Sequence, residues 1–273
     1  MLRRLAGTTA LGLALIAAAS PGARATVATA NVNGVVFPIG IVPGGNQIQS
    51  AFINETSVAN VGDVLSGIGY VNAISLGTNS SAQTWSNGQN GVMLAFEFSG
   101  YTVSNIVNPS SSNAGSVSFT GGTVNFYTLP ANTNLAAGSV TADESLVTGG
   151  TLWLSTAAAI EGPGSTTLSA ALPPGDSASN IVHAASGFGY LDVTGGPAGA
   201  SFHTGTFANP SDPGGFSDMS FTSDFSNAPT GSDFPITGSA TLKANAVPEP
   251  MSAALLGFGV LTLAFVYRRR ASY

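Results

Sequence analysis

The stretch VMLAFEF, residues 92–98, decides the fold class of this 273-residue chain. Large apolar side chains occupy every second position of it: Val92, Leu94, Phe96 and Phe98. Because successive side chains of a strand point to opposite faces, this period of two predicts a half-buried β-strand.

Short segments of the same kind recur along the chain, separated by glycine pairs and other turn residues. They are TVNFYT (123–128), TLWLST (151–156), FGYLDVT (188–194), MSFTSDF (219–225) and ITGSATLKANA (236–246). Short alternating strands between turn signals are typical of β-sandwiches and jelly rolls. We therefore predict an all-β exported domain over residues 26–246, built as a single antiparallel β-sandwich or a jelly-roll-like fold.

The charge distribution excludes one class of partner. The chain has 7 Lys and Arg against 13 Asp and Glu, and Lys243 is the one basic residue between the two ends. Binding to a phosphate backbone needs a basic surface, so no nucleic-acid partner is expected. Cysteine is absent, which excludes disulfides, thiol nucleophiles and thiolate metal sites.

The first 25 residues have the order of a secretory signal peptide. Two basic residues precede an apolar run and a small-x-small cleavage site: Arg3, Arg4, Leu5 to Ala19, then Ala23 and Ala25. The run is too short and too rich in Ala and Gly for a permanent transmembrane helix. This segment predicts export, with the secretory translocon and signal peptidase as partners.

The C-terminal 27 residues contain three parts in a fixed order. The motif Val247, Pro248, Glu249 and Pro250 precedes an apolar segment, Met251 to Tyr267, and a basic cluster, Arg268, Arg269 and Arg270. As a helix the apolar segment is roughly 25 Å long, slightly short of a bilayer core but able to span it with local thinning. The arginines predict that the tail stays cytoplasmic and the domain lies outside.

This tripartite segment resembles the PEP-CTERM sorting signal of Gram-negative bacteria, although Met251 stands where Ser or Thr commonly follows the motif. The resemblance implies recognition and cleavage by an exosortase near Pro248–Pro250, after transient anchoring in the inner membrane. It also implies passage to the cell surface or extracellular matrix, often alongside exopolysaccharide. The alternative is a permanent single-span anchor for a periplasmic domain.

Catalytic motifs are not recognisable in the sequence. His183 and His203 have no G-x-S-x-G elbow or H-E-x-x-H pattern near them. The acidic residues are scattered, whereas glycoside hydrolysis needs two carboxylates facing one cleft. We predict a non-enzymatic protein, with an exported carbohydrate-active enzyme as the alternative.

No cofactor is expected, and calcium is the one metal for which the sequence offers candidate ligands. Asp212 and Asp218 bracket a Gly-Gly turn, although their spacing does not fit an EF-hand. Exposed aromatic side chains could instead stack on sugar rings, although core packing is the expected role for most of the candidates: Trp85, Trp153, Tyr101, Tyr127 and Tyr190. Trp153 is the preferred candidate because it alternates with Leu152 and Leu154. These features together favour a matrix protein of biofilm or floc, associated with exopolysaccharide.

Overall fold

The computed structural model of the chain describes residues 27–77, 82–135 and 139–248. The predicted signal peptide, Glu249, Pro250, the apolar segment and the cluster Arg268, Arg269 and Arg270 lie outside the described residues. Among the described residues, there is no helix with the length and hydropathy needed to cross a bilayer.

The described residues form sixteen β-strands and two short α-helices. The strands are β1 (Thr29–Val32), β2 (Val35–Pro38), β3 (Asn46–Glu55), β4 (Val64–Tyr70), β5 (Ala73–Ser75), β6 (Gln83–Ser86), β7 (Val92–Val107), β8 (Gly115–Thr120), β9 (Thr123–Pro130), β10 (Thr151–Ala159), β11 (Thr166–Leu172), β12 (Ala185–Gly195), β13 (Phe207–Ala208), β14 (Phe216–Ser217), β15 (Met219–Asn227) and β16 (Ile236–Ala244). The helices are α1 (Val140–Thr148) and α2 (Gly199–Phe202). The predicted all-β class is therefore confirmed.

The main sheet closes on itself. Antiparallel pairs connect β3, β4, β7, β8, β11, β12, β15 and β16 in that order, and β16 pairs back to β3. β9 continues the line of β8 along β7, and β10 pairs with both β9 and β12. Apart from the closing pair of β16 and β3, the ring strands follow one another in chain order, with β5–β6, β9–β10 and β13–β14 inserted between them, so the path around the ring is a meander. A jelly roll has Greek-key crossings instead, and the closed sheet differs from the expected sandwich in having no open edge within the ring.

Inside the barrel, several aromatic rings lie across glycines of a neighbouring strand or turn. A Cβ placed on Gly67 would lie 2.5 Å from Phe98 Cζ, and one on Gly69 would overlap Phe96 Cζ. The same arrangement places Tyr101 over Gly122, Phe221 over Gly189 and Phe225 over Gly238. Because a strand glycine has no side chain, it leaves room for a neighbouring ring inside a narrow barrel.

The end of the barrel where β3 begins is closed by an aromatic cluster, and we call it the aromatic end. Phe37 of β2, Trp153 of β10 and Phe202 of α2 pack with ring centroids 4.8 to 5.9 Å apart. Trp153 Nε1 also donates to the Val32 carbonyl at 3.1 Å, which ties the β1–β2 hairpin to the barrel. We call the opposite end, with connections 56–63, 108–114, 173–184 and 228–235, the loop end.

A second apolar cluster lies outside the barrel, beneath α1. Val147 of α1 packs in it with Ile68, Met93 and Leu129, which point outward from β4, β7 and β9. The helix begins at Ser139, whose side chain accepts a hydrogen bond from the Ala142 N–H at 3.4 Å. The outer face of these strands is therefore buried, whereas the interior face forms the main core.

We predict that Gly69→Ala destabilises the fold by about 1 to 3 kcal/mol, because the added methyl group overlaps the Phe96 ring in a packed interior. The matched control is Gly195→Ala at the end of β12, where an added Cβ meets nothing within 4 Å. Urea unfolding of both variants measures the difference. Equal effects of the two substitutions would contradict the packing described here.

Candidate functional site

A cavity of about 120 Å³ remains inside the barrel, between the aromatic end and the loop end. Every strand of the closed ring contributes to its lining, which is almost entirely apolar. Eight-stranded barrels enclose an interior just wide enough for side chains or for one small ligand. This chain fills most of that interior and leaves part of it open.

The inward-facing side chains next to the cavity retain solvent-accessible area. Val124, Ala170, Phe221, Phe225 and Ala240 line it and are only half-buried, although they belong to the interior face of the sheet. Residues of a filled core, such as Leu94 and Leu154, are fully buried. The difference shows that side chains do not completely fill the interior beside these residues.

Two connections at the loop end cover the cavity. Val58 comes from connection 56–63, and Ala178 and Ile181 come from connection 173–184. Asn227 holds Ile181 in place, because its side chain accepts from the Ile181 N–H at 3.0 Å and its own N–H donates back to the Ile181 carbonyl at 2.9 Å. The loop end therefore has a cover of apolar side chains from two connecting loops.

Contacts between Asp176 and His183 connect the two halves of connection 173–184. The Asp176 carboxylate accepts from the His183 N–H at 3.0 Å and contacts His183 Nδ1 at 2.7 Å. The carboxylate is buried while the imidazole ring is largely exposed. His183 thus lies in a loop, in a structural pair with an aspartate.

Glu55 is the acidic residue in the described lining of the cavity. It is the last residue of β3, paired with Gly67 on one side and Ile236 on the other, and it is 5% exposed. Within the described part of the chain, its Oε2 has no hydrogen-bond partner. Burial raises the pKa of this carboxyl to about 8, so Glu55 is mainly protonated at neutral pH.

Tyr101 adds a second polar group to the same lining. Its hydroxyl is buried and, among the described residues, has no hydrogen-bond partner. Burial raises the pKa of Tyr101, which therefore stays a neutral phenol. Buried polar groups are normally hydrogen-bonded, so Glu55 and Tyr101 mark places where a ligand could supply a partner.

The structure corrects the prediction that Trp153 is exposed for sugar stacking. Trp153 is 0% exposed and lies in the aromatic cluster, as described above. A β-bulge between Leu152 and Leu154 interrupts the alternation on which the prediction depended, so Trp153 and Leu154 are both buried. Trp85 and Tyr101 are buried as well, at 0% and 1% exposure, whereas Tyr127 and Tyr190 are half-buried.

The two aspartates considered as calcium ligands serve local structure. Asp218 is buried and accepts hydrogen bonds from the N–H groups of Val193, Thr204 and Gly205 at 2.6 to 2.9 Å. It also contacts His203 Nδ1 at 2.9 Å, and Asp212 accepts from the Gly214 N–H at 2.7 Å. Within the described ranges, no group of three or more His, Asp or Glu side chains is placed to hold a metal ion.

The described chain ends within the predicted sorting motif. Ala246 forms a bridge with Gly40, and the Val247 N–H donates to the Ser201 carbonyl at 2.9 Å. Pro248 is the last described residue, and Glu249 and Pro250 lie outside the described residues. The backbone contacts of the folded body therefore include Val247, the first residue of the motif.

Sequence reasoning missed Glu55 as a site residue. It shares its strand face with Ile53, two positions earlier, and a charged side chain on an apolar face is a usable signal. This signal was not recognised because β3 lacks a continuous period of two. The register of its pairing with β16 shifts between Ser50 and Ile53, opposite Ala240 and Gly238.

Comparison with protein-family models, curated proteins and solved structures finds no match to this chain.

We predict that Glu55 makes the protein less stable as the pH rises. Between pH 4.5 and about 8 the folded state keeps the Glu55 proton that the unfolded state has released, so stability falls across this window. The full effect is on the order of 5 kcal/mol, reached above pH 8. Urea unfolding at pH 5 and pH 8 measures the larger part of this loss of stability.

The control for this prediction is Glu55→Gln, which keeps the shape and removes the titration. Burial also raises the pKa values of Glu144, Glu161 and Asp192, and these groups remain in the variant. The variant should therefore lose less stability than the wild type between the two pH values. An identical pH dependence in both proteins would show that Glu55 is not buried as described.

Proposed function

We propose that this protein is an exported, non-catalytic barrel that binds a small apolar molecule in its interior. The observation that carries the proposal is the apolar cavity of about 120 Å³, lined by all ring strands and covered by short loops. Small-molecule sites are typically apolar cavities with a few polar groups. Here Glu55 and Tyr101 are those groups.

The energetic cost of the cavity supports a binding role. Residual cavities destabilise cores by roughly 24 cal/mol per Å³, so an empty space of this volume costs on the order of 3 kcal/mol. Ala170, Ala240 and Gly187 lie on its wall, where larger side chains would fill it. A ligand that occupies the cavity restores the missing contacts.

We further propose that the protein follows the exosortase route to the cell surface or matrix. The terminal segments support this route through their resemblance to a signal peptide and a PEP-CTERM signal. The position of the fold supports it too, since β16, the last described strand, ends at Ala244, before the motif begins at Val247. Cleavage after the motif would leave every described strand intact.

One feature of the outer face favours association with exopolysaccharide. A row of residues paired across five strands of the barrel consists of Ser118, Ser169, Phe188, Thr222 and Thr241. Phe188 is 39% exposed and packs edge-on against Tyr190, with ring centroids 5.0 Å apart. Hydroxyl groups beside an exposed aromatic ring suit the polar rim and apolar faces of sugars.

The alternative of a carbohydrate-active enzyme requires two carboxylates facing a substrate. Asp192 and Asp218 are adjacent, because the Asp218 N–H donates to Asp192 Oδ1 at 3.1 Å. The Asp218 carboxylate, however, is already engaged by three backbone N–H groups and His203. These contacts give Asp218 a role in holding the local backbone, which favours the non-catalytic proposal.

The cavity proposal predicts that Ala240→Leu weakens the binding of 1-octanol by about tenfold or more, because the larger side chain occupies the space inside the barrel. Thr241→Leu is the matched control, since Thr241 is the next residue of β16 and faces outward, away from the cavity lining. Calorimetric titration gives both affinities. Equal binding by the two variants would place the ligand elsewhere.

The export proposal predicts that the protein recovered from its host lacks residues 1–25 and the tail that includes Arg268, Arg269 and Arg270. Intact-mass measurement of protein from membranes, medium and the exopolysaccharide fraction checks this, with and without the exosortase. Full C-terminal mass in every fraction would indicate a permanent anchor. If the cleaved protein were absent from the exopolysaccharide fraction, only the proposed association with the matrix would be contradicted, and the export route would stand.

A further inference from the structure

We propose that the molecule bound in the cavity is an apolar amine, held by an ion pair between its ammonium group and the Glu55 carboxylate. This inference rests on the proposed function, because it names the chemistry of a ligand in the same cavity. It is carried by the position of Glu55, the absence of an internal counter-ion and the charge of the body.

Glu55 lies where an elongated ligand would place its head group. The residue ends β3 at the loop end, and its partner Ile236 lines the cavity beside it. Its other partner, Gly67, is covered by the ring of Phe98, which also lines the cavity. A ligand tail can therefore lie along the apolar lining while its head remains under the loop cover.

The described body contains no cation that could satisfy Glu55. Lys243 is its one basic residue other than histidine, and it lies on β16 between Leu242 and Ala244, which belong to the interior core. Alternation therefore points the Lys243 side chain outward. Of the described residues that line the cavity, Glu55 and Tyr101 are the ones with ionisable side chains. A positive charge that pairs with ionised Glu55 inside the cavity would therefore come from a ligand.

The electrostatics of the whole body favour the same ligand class. The acidic residues lie mainly between the two ends, so the exported body is negative at neutral pH. Such a field attracts cations and repels fatty-acid carboxylates. A hydrogen bond to a charged group is about twice as strong as one between neutral groups, which favours an ammonium over an alcohol.

Binding changes the protonation of the pair in a defined way. An alkylammonium ion keeps its proton below about pH 10, as lysine does. When it enters, Glu55 gives up its carboxyl proton to solvent and becomes the carboxylate of the ion pair. At pH 7, where burial keeps Glu55 mainly protonated, about one proton is released per molecule bound.

The test compares three probes of equal chain length by calorimetric titration at pH 8: octylammonium chloride, 1-octanol and octanoate. The wild type should bind octylammonium about tenfold or more tightly than 1-octanol, and octanoate most weakly. Glu55→Gln should bring octylammonium and 1-octanol within about threefold of each other. Asp224→Asn, which removes an exposed acid from the outer face of β15, should leave the wild-type preference unchanged.

A second measurement does not depend on any variant. Titration of the wild type with octylammonium at pH 7, in two buffers of different ionisation enthalpy, counts the protons released. Equal affinity for octylammonium and 1-octanol, or binding without proton release, would overturn the amine inference and leave the cavity proposal standing. Failure of all three probes to bind would overturn the cavity proposal itself.

Discussion

The pairing of β16 with β3 is the interaction on which the rest of the structure depends. It joins Ile236 to Glu55 at one end and Ala244 to Asn46 at the other, and it converts a meander into a closed ring. An open sheet would expose two unpaired edges and spread its apolar face over a flat surface. Closure removes those edges and directs Phe96, Phe98 and Phe221 toward a common interior.

Closure also explains why glycine and aromatic residues occur together on the inner face. In a ring of eight strands, the interior is too narrow for a large side chain at every inward position. Aromatic rings on neighbouring strands occupy the space beside Gly67, Gly69 and Gly238. The volume that remains unfilled is lined in part by small residues such as Ala240. The cavity is thus a consequence of how large and small side chains are distributed.

The sequence predicted the strands better than it predicted their assembly. The segments at 92–98, 123–128 and 219–225 follow a period of two and lie in β7, β9 and β15. Closure depends on pairing between residues far apart in sequence, which no local pattern records, so the sequence predicted a sandwich or jelly roll and not the closed ring. The prediction for Trp153 was wrong because a β-bulge in β10 lies at that residue. Glu55 was missed because the pairing of β3 with β16 is irregular near it.

The position of Glu55 connects closure with the proposed chemistry. Its backbone belongs to the two junctions that close the ring, with β16 and with β4, while its side chain borders the cavity. An unpaired carboxyl in an apolar interior opposes folding, because the group must lose either its charge or its hydration. The closed sheet tolerates this group since the backbone around it is hydrogen-bonded on both sides. A ligand that enters the cavity and bonds to the Glu55 carboxyl therefore also stabilises the pairing of β3 with β16 and β4.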